Sequence, residues 1–387
     1  MEALRYWIAA SYLPGVGTST LLKILTILGD IKSLFNLTLA DYQAIGFAPY
    51  QIKALLKPNW QQVDSDIAWS LASPSHHILY YDSLSYPPQL KSINDPPTIL
   101  YVKGDASLLQ AAQLAMVGSR HPSASGLIIA REFAASLASA DMVVTSGLAA
   151  GIDTASHEGS LSANGKTIAV FGTGLLQVYP AKNKQLAEKI VAEGGALVSE
   201  FSLSSSPRPM HFPKRNRIIS GLSLGVVVVE AAIKSGSLVT ARHALTQGRD
   251  VFAVPGSIQT VFSRGCHFLI KQGAALVESA DDILNNLGWG SHSQESDKAH
   301  NGSSKDKCNV IVNEKHTKCE NISVLPLDLS AKEHHILSLI TSDWVPFDQI
   351  LLLSRLTMGE LSSMLLSLEL RGLIQSVAGG YRCLVSV

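Results

Sequence analysis

The chain has 387 residues, 46% hydrophobic and 16% charged, and its 31 lysines and arginines balance 31 aspartates and glutamates. That length and composition supply core for two or three domains. They exclude a surface coated evenly in positive charge, so any anion site has to be a local gathering of cations.

Four cysteines are too few for a disulfide scaffold in a chain this long. Cys266 and Cys383 sit in apolar surroundings and read as inert. Cys308 and Cys319 flank His316 without a CxxC spacing, so neither a metal centre nor any other cofactor is expected. There is no basic leader before an apolar run and no stretch of about 18 apolar residues, so a cytoplasmic protein without membrane spans is expected.

Residues 1–75 read as a helical domain of SAM or helix-hairpin-helix type. LPGVGTSTLLKILTILG (13–29) joins a Gly-Val-Gly turn to an amphipathic run, and AIGFAPYQIKALL (44–56) is a degenerate second copy. Such turns can aim backbone N–H groups at a phosphate. The simpler reading is a helical bundle with ordinary glycine turns, because the second copy lacks its second glycine and few cations flank either turn.

Residues 76–288 change rhythm. Apolar runs at 114–119, 142–147, 167–174, 196–200, 225–230, 250–256 and 275–279 alternate with helical patterns at 124–140, 151–163, 182–193, 213–222, 236–248 and 264–272. Continuously hydrophobic strands between helices predict an α/β fold: a mainly parallel, doubly wound, Rossmann-like sheet covered on both faces. Residues 289–325 are polar and read as a flexible linker. Residues 326–387 carry three helical patterns and then a hairpin, the order of a winged helix.

Ligands of such sheets bind at the carboxyl ends of the strands. The strand ends here carry Gly118-Ser119-Arg120, Ser146-Gly147, Gly172-Thr173-Gly174, Ser235-Gly236-Ser237 and Pro255-Gly256-Ser257. Glycine lets a backbone approach a phosphate, and a following helix start presents free N–H groups. Any one of these turns also serves simply to close a tight connection. HFPKRNRIISGLS (211–223) adds Lys214, Arg215 and Arg217 directly before the apolar run GVVVVEA, which tips the set toward anion binding.

Two motif matches fail. GSLSANGKT (159–167) has five residues between its glycines and precedes its strand, unlike a P-loop. GTGLLQ (172–177) lacks the third glycine of a dinucleotide fingerprint. His157 and His243 are single helix histidines, more readily packed than catalytic. Asp153 suits a helix start that accepts backbone N–H groups, and Glu230 is the best acid candidate, with a structural role favoured.

AMVGSRHPSASG (115–126), VVTSGLAAGIDTASHEGSL (143–161), HFPKRNRIISGLS (211–223) and VVVVEAAIKSGSLVTARHAL (226–245), in that order, resemble the DNA-processing protein A (DprA/Smf) family. The resemblance spans nearly all of the central domain, and the helical and winged-helix flanks fit it. It implies a single-stranded-DNA-binding recombination mediator that protects incoming strands in natural transformation and helps load the RecA recombinase. It implies no catalysis, and a homodimer through the central domain. Arg120, Lys214, Arg215 and Arg217 would contact the strand, with Gly118, Ser119, Gly147, Gly174, Ser235 and Gly236 lining a phosphate pocket. Phe212 or His211 would stack on a base, with core packing an equal alternative for Phe212.

One departure stands out. The third helical pattern of the winged helix (359–373) has Arg371 as its single cation beside Glu360 and Glu369. A helix that reads a DNA groove carries more basic or amide side chains, so a protein contact is expected of this domain. The competing reading is a nucleotide phosphoribohydrolase on the same architecture. Against it, EAAIKSGSLVTARHA (230–244) has one glycine and no glutamate following it, where that family carries PGGxGTxxE.

Overall fold

A computed structural model describes residues 2–289, 330–340, 345–354, 356–370, 373–377 and 380–383. Beyond Trp289, the expected linker lies outside the described residues, as do Cys308, His316, Cys319 and Arg371. The chain divides into two compact units, Met1–His300 and Asn301–Val387.

The first unit begins with five helices: α1 (Glu2–Ser11), α2 (Thr18–Leu28), α3 (Leu39–Ile45), α4 (Pro49–Leu56) and α5 (Trp60–Leu71). Local chemistry sets their limits. A reciprocal Thr38–Asp41 capping box starts α3, and Gly46 ends it in the left-handed region at φ 91°. Pro49 occupies the first turn of α4, where its missing N–H is harmless.

The α/β core follows. It contains β1 (His76–Tyr80), α6 (Pro88–Lys91), β2 (Ile99–Gly104), β3 (Gln113–Val117), α7 (Ala124–Ser139), β4 (Val143–Ser146), α8 (Ile152–Ser162), β5 (Thr167–Val170), α9 (Lys184–Ala192) and β6 (Ala196–Ser199). It continues through α10 (His211–Leu222), β7 (Gly225–Val228), α11 (Ser237–Thr246), β8 (Asp250–Ala253), α12 (Arg264–Lys271), β9 (Ala275–Leu276) and α13 (Ala280–Asn286). Among the described residues these strands form one nine-stranded sheet, ordered β1-β2-β6-β5-β4-β3-β7-β8-β9. The seven strands from β6 to β9 are parallel, as the doubly wound pattern predicts. The chain runs outward from β3 to β6, then returns to lay β7 on the other side of β3, so the winding reverses between β3 and β7.

Two features differ from the sequence reading. β1 and β2 went unread; they pair antiparallel with each other, and β2 pairs antiparallel with β6. A search for strand–helix alternation passes over such an annex. The expected strands also overran: 167–174 is Thr167–Val170 and 250–256 is Asp250–Ala253. The apolar residues beyond each ladder pack in the loops at the carboxyl edge, as buried Phe171, Leu175 and Val254 do.

Alternation along the strands builds two buried faces. Ala115, Val117, Val226 and Val228 pack with α10 to α12 on one face. Leu114, Met116, Val227 and Val229 pack with α7, α8 and α13 on the other. The N-terminal helices are part of this construction. Trp7, Leu21, Leu55 and Val63 share one cluster with Ile99 and Tyr101 of β2, Leu197 of β6 and Ile190 of α9. Asp66, fully buried in α5, pins the contact by accepting from the Tyr12 hydroxyl at 2.5 Å, the Tyr101 hydroxyl at 2.7 Å and Gln62 Nε2 at 3.0 Å. A buried carboxylate is tolerated when its lone pairs are satisfied in this way.

The second unit is a winged helix. α14 (Ala331–Leu339), β10 (Val345–Pro346), α15 (Phe347–Ser354), α16 (Met358–Leu370), β11 (Ile374–Val377) and β12 (Gly380–Cys383) enclose a core of Ile336, Ile350, Leu361, Leu365, Leu368 and Ile374. Its three strands are ordered β10-β12-β11. Glu360, one of the acids counted against groove reading, serves as a cap here: its carboxylate accepts Thr357 N at 3.1 Å and Thr357 Oγ1 at 2.8 Å.

Candidate nucleic-acid interface

A cavity of about 440 Å³ opens at the carboxyl ends of β3, β4 and β7, where the winding reverses. Open α/β sheets place their ligand sites at such a reversal. Gly118 and Arg120 enter the lining from the end of β3, and Ala149 and Asp153 from the loop after β4 and the start of α8. Phe212, Arg215 and Asn216 enter from α10, and Ser235, Gly236 and Thr240 from the start of α11. The serines there tie the wall together: Ser237 Oγ donates to Gly118 O at 2.7 Å, and Ser237 N donates to Ser235 Oγ at 3.2 Å.

Arg120 stands exposed at the mouth, and among the described residues no carboxylate pairs with it. Its guanidinium carbon lies 5.7 Å from the Phe212 ring centre, a cation–π arrangement. Phe212 is half-buried. It rests so closely on Gly172 that a Cβ there would lie 2.7 Å from the ring. Tyr179 flanks it at 5.4 Å between centres and a 47° tilt. His211, the other stacking candidate, already lies against Phe201 at 4.1 Å and 17°. Of the two stacking candidates Phe212 is the one that lines the cavity, beside the ring of Tyr179.

The expected cation cluster separates into different roles. Arg215 borders the cavity but is 3% exposed, and its Nη1 donates to the carbonyls of Gly147 and Val170. Burial pushes its pKa down to about 10, with the nearby Asp153 charge acting the other way. Asp153 in turn accepts Gly147 N at 3.1 Å and Ala149 N at 3.3 Å; burial raises its pKa against the pull of Arg215. Arg217 is buried too. It meets Glu200 Oε2 at 2.6 Å and Asp95 Oδ2 at 3.2 Å, on the far side of α10 from the cavity. Lys214 is half exposed, 3.3 Å from the same Glu200 oxygen.

Arg215 and Arg217, expected as strand contacts, are 3% and 7% exposed and hold partners inside the fold, as a buried charge requires; of the two, Arg215 borders the cavity. Gly174, expected in the phosphate pocket, has a different setting. It lies outside the cavity lining, packed where a Cβ would come within 2.1 Å of the Ser202 and Leu203 carbonyls. Ser119 accepts His121 N at 3.1 Å through Oγ, and Gly147 borders a smaller adjoining pocket of about 110 Å³.

The remaining polar candidates are structural. His157 is fully buried, bonded to Thr167 Oγ1 at 2.7 Å, and burial drops its pKa to about 3. Glu230 accepts Ser123 N at 2.9 Å and Ser123 Oγ at 2.5 Å at the start of α7. Sequence reasoning missed Tyr179, Asn216 and exposed Arg208. Arg208 precedes α10 and its charge reaches His211. A lone arginine in a proline-rich loop carries no spacing signal.

Two family models match the chain: DNA recombination-mediator protein A over residues 77–288, and the DprA winged helix domain over residues 324–380. Protein Smf of Escherichia coli is 42% identical over 339 residues, covering 88% of this chain and 85% of that protein. DNA processing protein DprA of Bacillus subtilis is 47% identical over 206 residues, 53% of this chain and 69% of that protein. The crystal structure of DprA from Streptococcus pneumoniae superposes with a TM-score of 0.64 at 36% identity, covering 73% of this chain and 97% of that one. The chain belongs to the DprA/Smf family of DNA recombination mediators.

Proposed function

We propose that this chain binds single-stranded DNA along the carboxyl edge of its sheet, protects it, and helps RecA load onto it. The observation that carries the reading is the unpaired Arg120 beside the Phe212 face, at the mouth of the cavity where the winding reverses. A cation for phosphate next to a ring for an unstacked base is the minimal unit of sequence-independent strand binding. Lys214 and Arg208 extend the cationic rim, with Gly118, Ser235 and Gly236 as close-approach backbone. Arg215 and Gly147 build the wall behind them.

Binding rather than catalysis is the role. The carboxylate in the cavity, Asp153, is occupied by two backbone amides, which suits a wall better than a general base. The cytoplasm is the place of action, and the winged helix is the protein-contact module. RecA filament growth on strands coated with single-strand-binding protein is the readout for that partnership. The N-terminal helices, the central core and the winged helix act as the functional divisions at 1–75, 76–288 and 326–387.

Arg120→Ala tests the site. With an oligothymidylate and fluorescence anisotropy, affinity is expected to fall about tenfold, and the slope of log affinity against log salt to shrink by about 0.7, one phosphate contact on a single strand. Unchanged affinity and slope would remove the site.

The β9 edge is the surface we propose for a homodimer contact. Ile258, Val261, Phe268 and Leu276 are 82%, 54%, 41% and 49% exposed and lie within one stretch of the chain around that strand. Grouped exposed apolar residues mark contact surfaces. Phe268→Arg combined with Ile258→Arg is expected to give a monomer in sedimentation-velocity runs; a persistent dimer would relocate the contact.

A further inference from the structure

The loop between β4 and α8 lends Ala149 to the main cavity and Gly147, Ala149 and Ala150 to the smaller adjoining one. Leu148, buried at its centre, takes φ 55°, in the left-handed region that strains any residue with a side chain like leucine's. Such a conformation persists only where the surroundings over-determine it. Here they do. Asp153 holds the amides of Gly147 and Ala149, and Arg215 holds the Gly147 carbonyl. The Leu148 carbonyl goes to Asn183, whose Nδ2 donates to it at 2.8 Å and to Thr154 Oγ1 at 2.9 Å. Thr154 Oγ1 donates onward to Ala149 O at 2.7 Å.

Asn183 does not serve its own helix. It is 5% exposed and occupies the cap position of α9, where an asparagine side chain ordinarily accepts an amide of the first turn. Its side chain makes no such bond and is spent on a loop 35 residues earlier in the chain. Its own backbone amide donates to Pro180 O at 3.0 Å. The smaller cavity has Gly147, Ala149 and Ala150 on one side and Tyr179 and Pro180 on the other, so this one residue ties its two walls together.

We infer that Asn183 is a positioning residue for strand binding: it holds Leu148 left-handed and thereby keeps the Gly147–Ala150 wall in register with Tyr179. It acts through the loop, without touching the strand. The inference rests on the strand-binding reading of the main cavity.

Asn183→Leu keeps the volume, adds no charge and removes the donors. Released, Leu148 favours negative φ, and the fraction of protein in the binding-competent shape falls. Affinity for an oligothymidylate of about 20 nucleotides should drop about 5- to 30-fold, the population cost of an unclamped left-handed leucine. Anisotropy is read at a temperature where circular dichroism shows the variant folded. The slope of log affinity against log salt should stay at the parent value, since no phosphate contact is lost. Leu148→Gly supplies the rescue. Glycine takes positive φ without strain, so in that background Asn183→Leu should cost less than about twofold. Loss of the buried leucine side chain lowers the melting temperature of both glycine variants alike. If Asn183→Leu does not fold, Asn183→Ala takes its place.

A folded Asn183 variant with a lowered melting temperature and parental affinity would overturn the inference and leave the residue a purely structural one. So would a changed salt slope, or an equal loss of affinity with and without Leu148→Gly. Arg120→Ala, run alongside, separates the two levels. If it weakens binding while the Asn183 variant does not, the strand site stands and the positioning role falls. If Arg120→Ala changes nothing, the underlying reading falls.

Discussion

Arg215→Leu is expected to lower stability by about 3–5 kcal/mol, the range for removing one partner of a buried charge pair. The leucine fills most of the volume, so the loss is electrostatic. The carbonyls of Gly147 and Val170 lose their donor, and Asp153 keeps a buried charge without the guanidinium that faced it. The effect depends on pH. Burial already holds the native pKa of Asp153 above its unfolded value, and losing Arg215 raises it further. Between the unfolded carboxylate value and the raised native one, the unfolded chain has released that proton and the folded variant holds it. Stability of the variant therefore falls as pH climbs from about 4, the unfolded carboxylate range, toward the raised native value, and is regained on acidification. Urea midpoints from pH 4 to pH 8 test this. Adding Asp153→Asn should recover much of the loss and flatten the pH dependence. A single variant as stable as the parent across that range would show that the pair carries little of the fold's stability.

Phe212→Ala is expected to have the largest effect on strand binding, about 1–3 kcal/mol or roughly 5- to 150-fold in affinity, if one base stacks on the ring. The salt slope should stay constant, because no cation is removed. That separates this variant from Arg120→Ala, which changes both. Phe212 also packs on Gly172 and Tyr179, so Phe212→Leu is the necessary companion: it keeps the contact with Gly172 and removes the aromatic face. Comparable losses in both variants, with melting temperatures near the parent value, identify stacking. A loss in alanine alone would assign the ring to packing.

The order of elements was legible because parallel strands buried on both faces are continuous apolar runs, and each ends in a glycine or serine that turns the chain into a helix. The same rule hid β1 and β2, which pair antiparallel and break the alternation. Among the site residues, Arg120 could be read from its place at a strand end. Arg215 and Arg217 could not be told from surface cations, since helix position alone does not say which side of α10 meets Gly147 and Glu200. The carboxylates that absorb them, Asp153, Glu200 and Asp95, lie 17 to 122 residues away in sequence and come together only when the sheet closes. Tyr179 and Arg208 lacked any signal, being loop residues whose use depends on where α10 begins.

Because the first five helices share a cluster with Ile99, Tyr101 and Leu197, they are not a detachable module. A truncated protein starting after residue 75 would present those side chains to water, together with the Tyr101 hydroxyl stripped of its carboxylate acceptor. Any minimal version built for biophysics needs polar replacements on that face. Left unaltered, it is expected to precipitate or to pair with itself through the bared strands, which would masquerade as a change in quaternary structure.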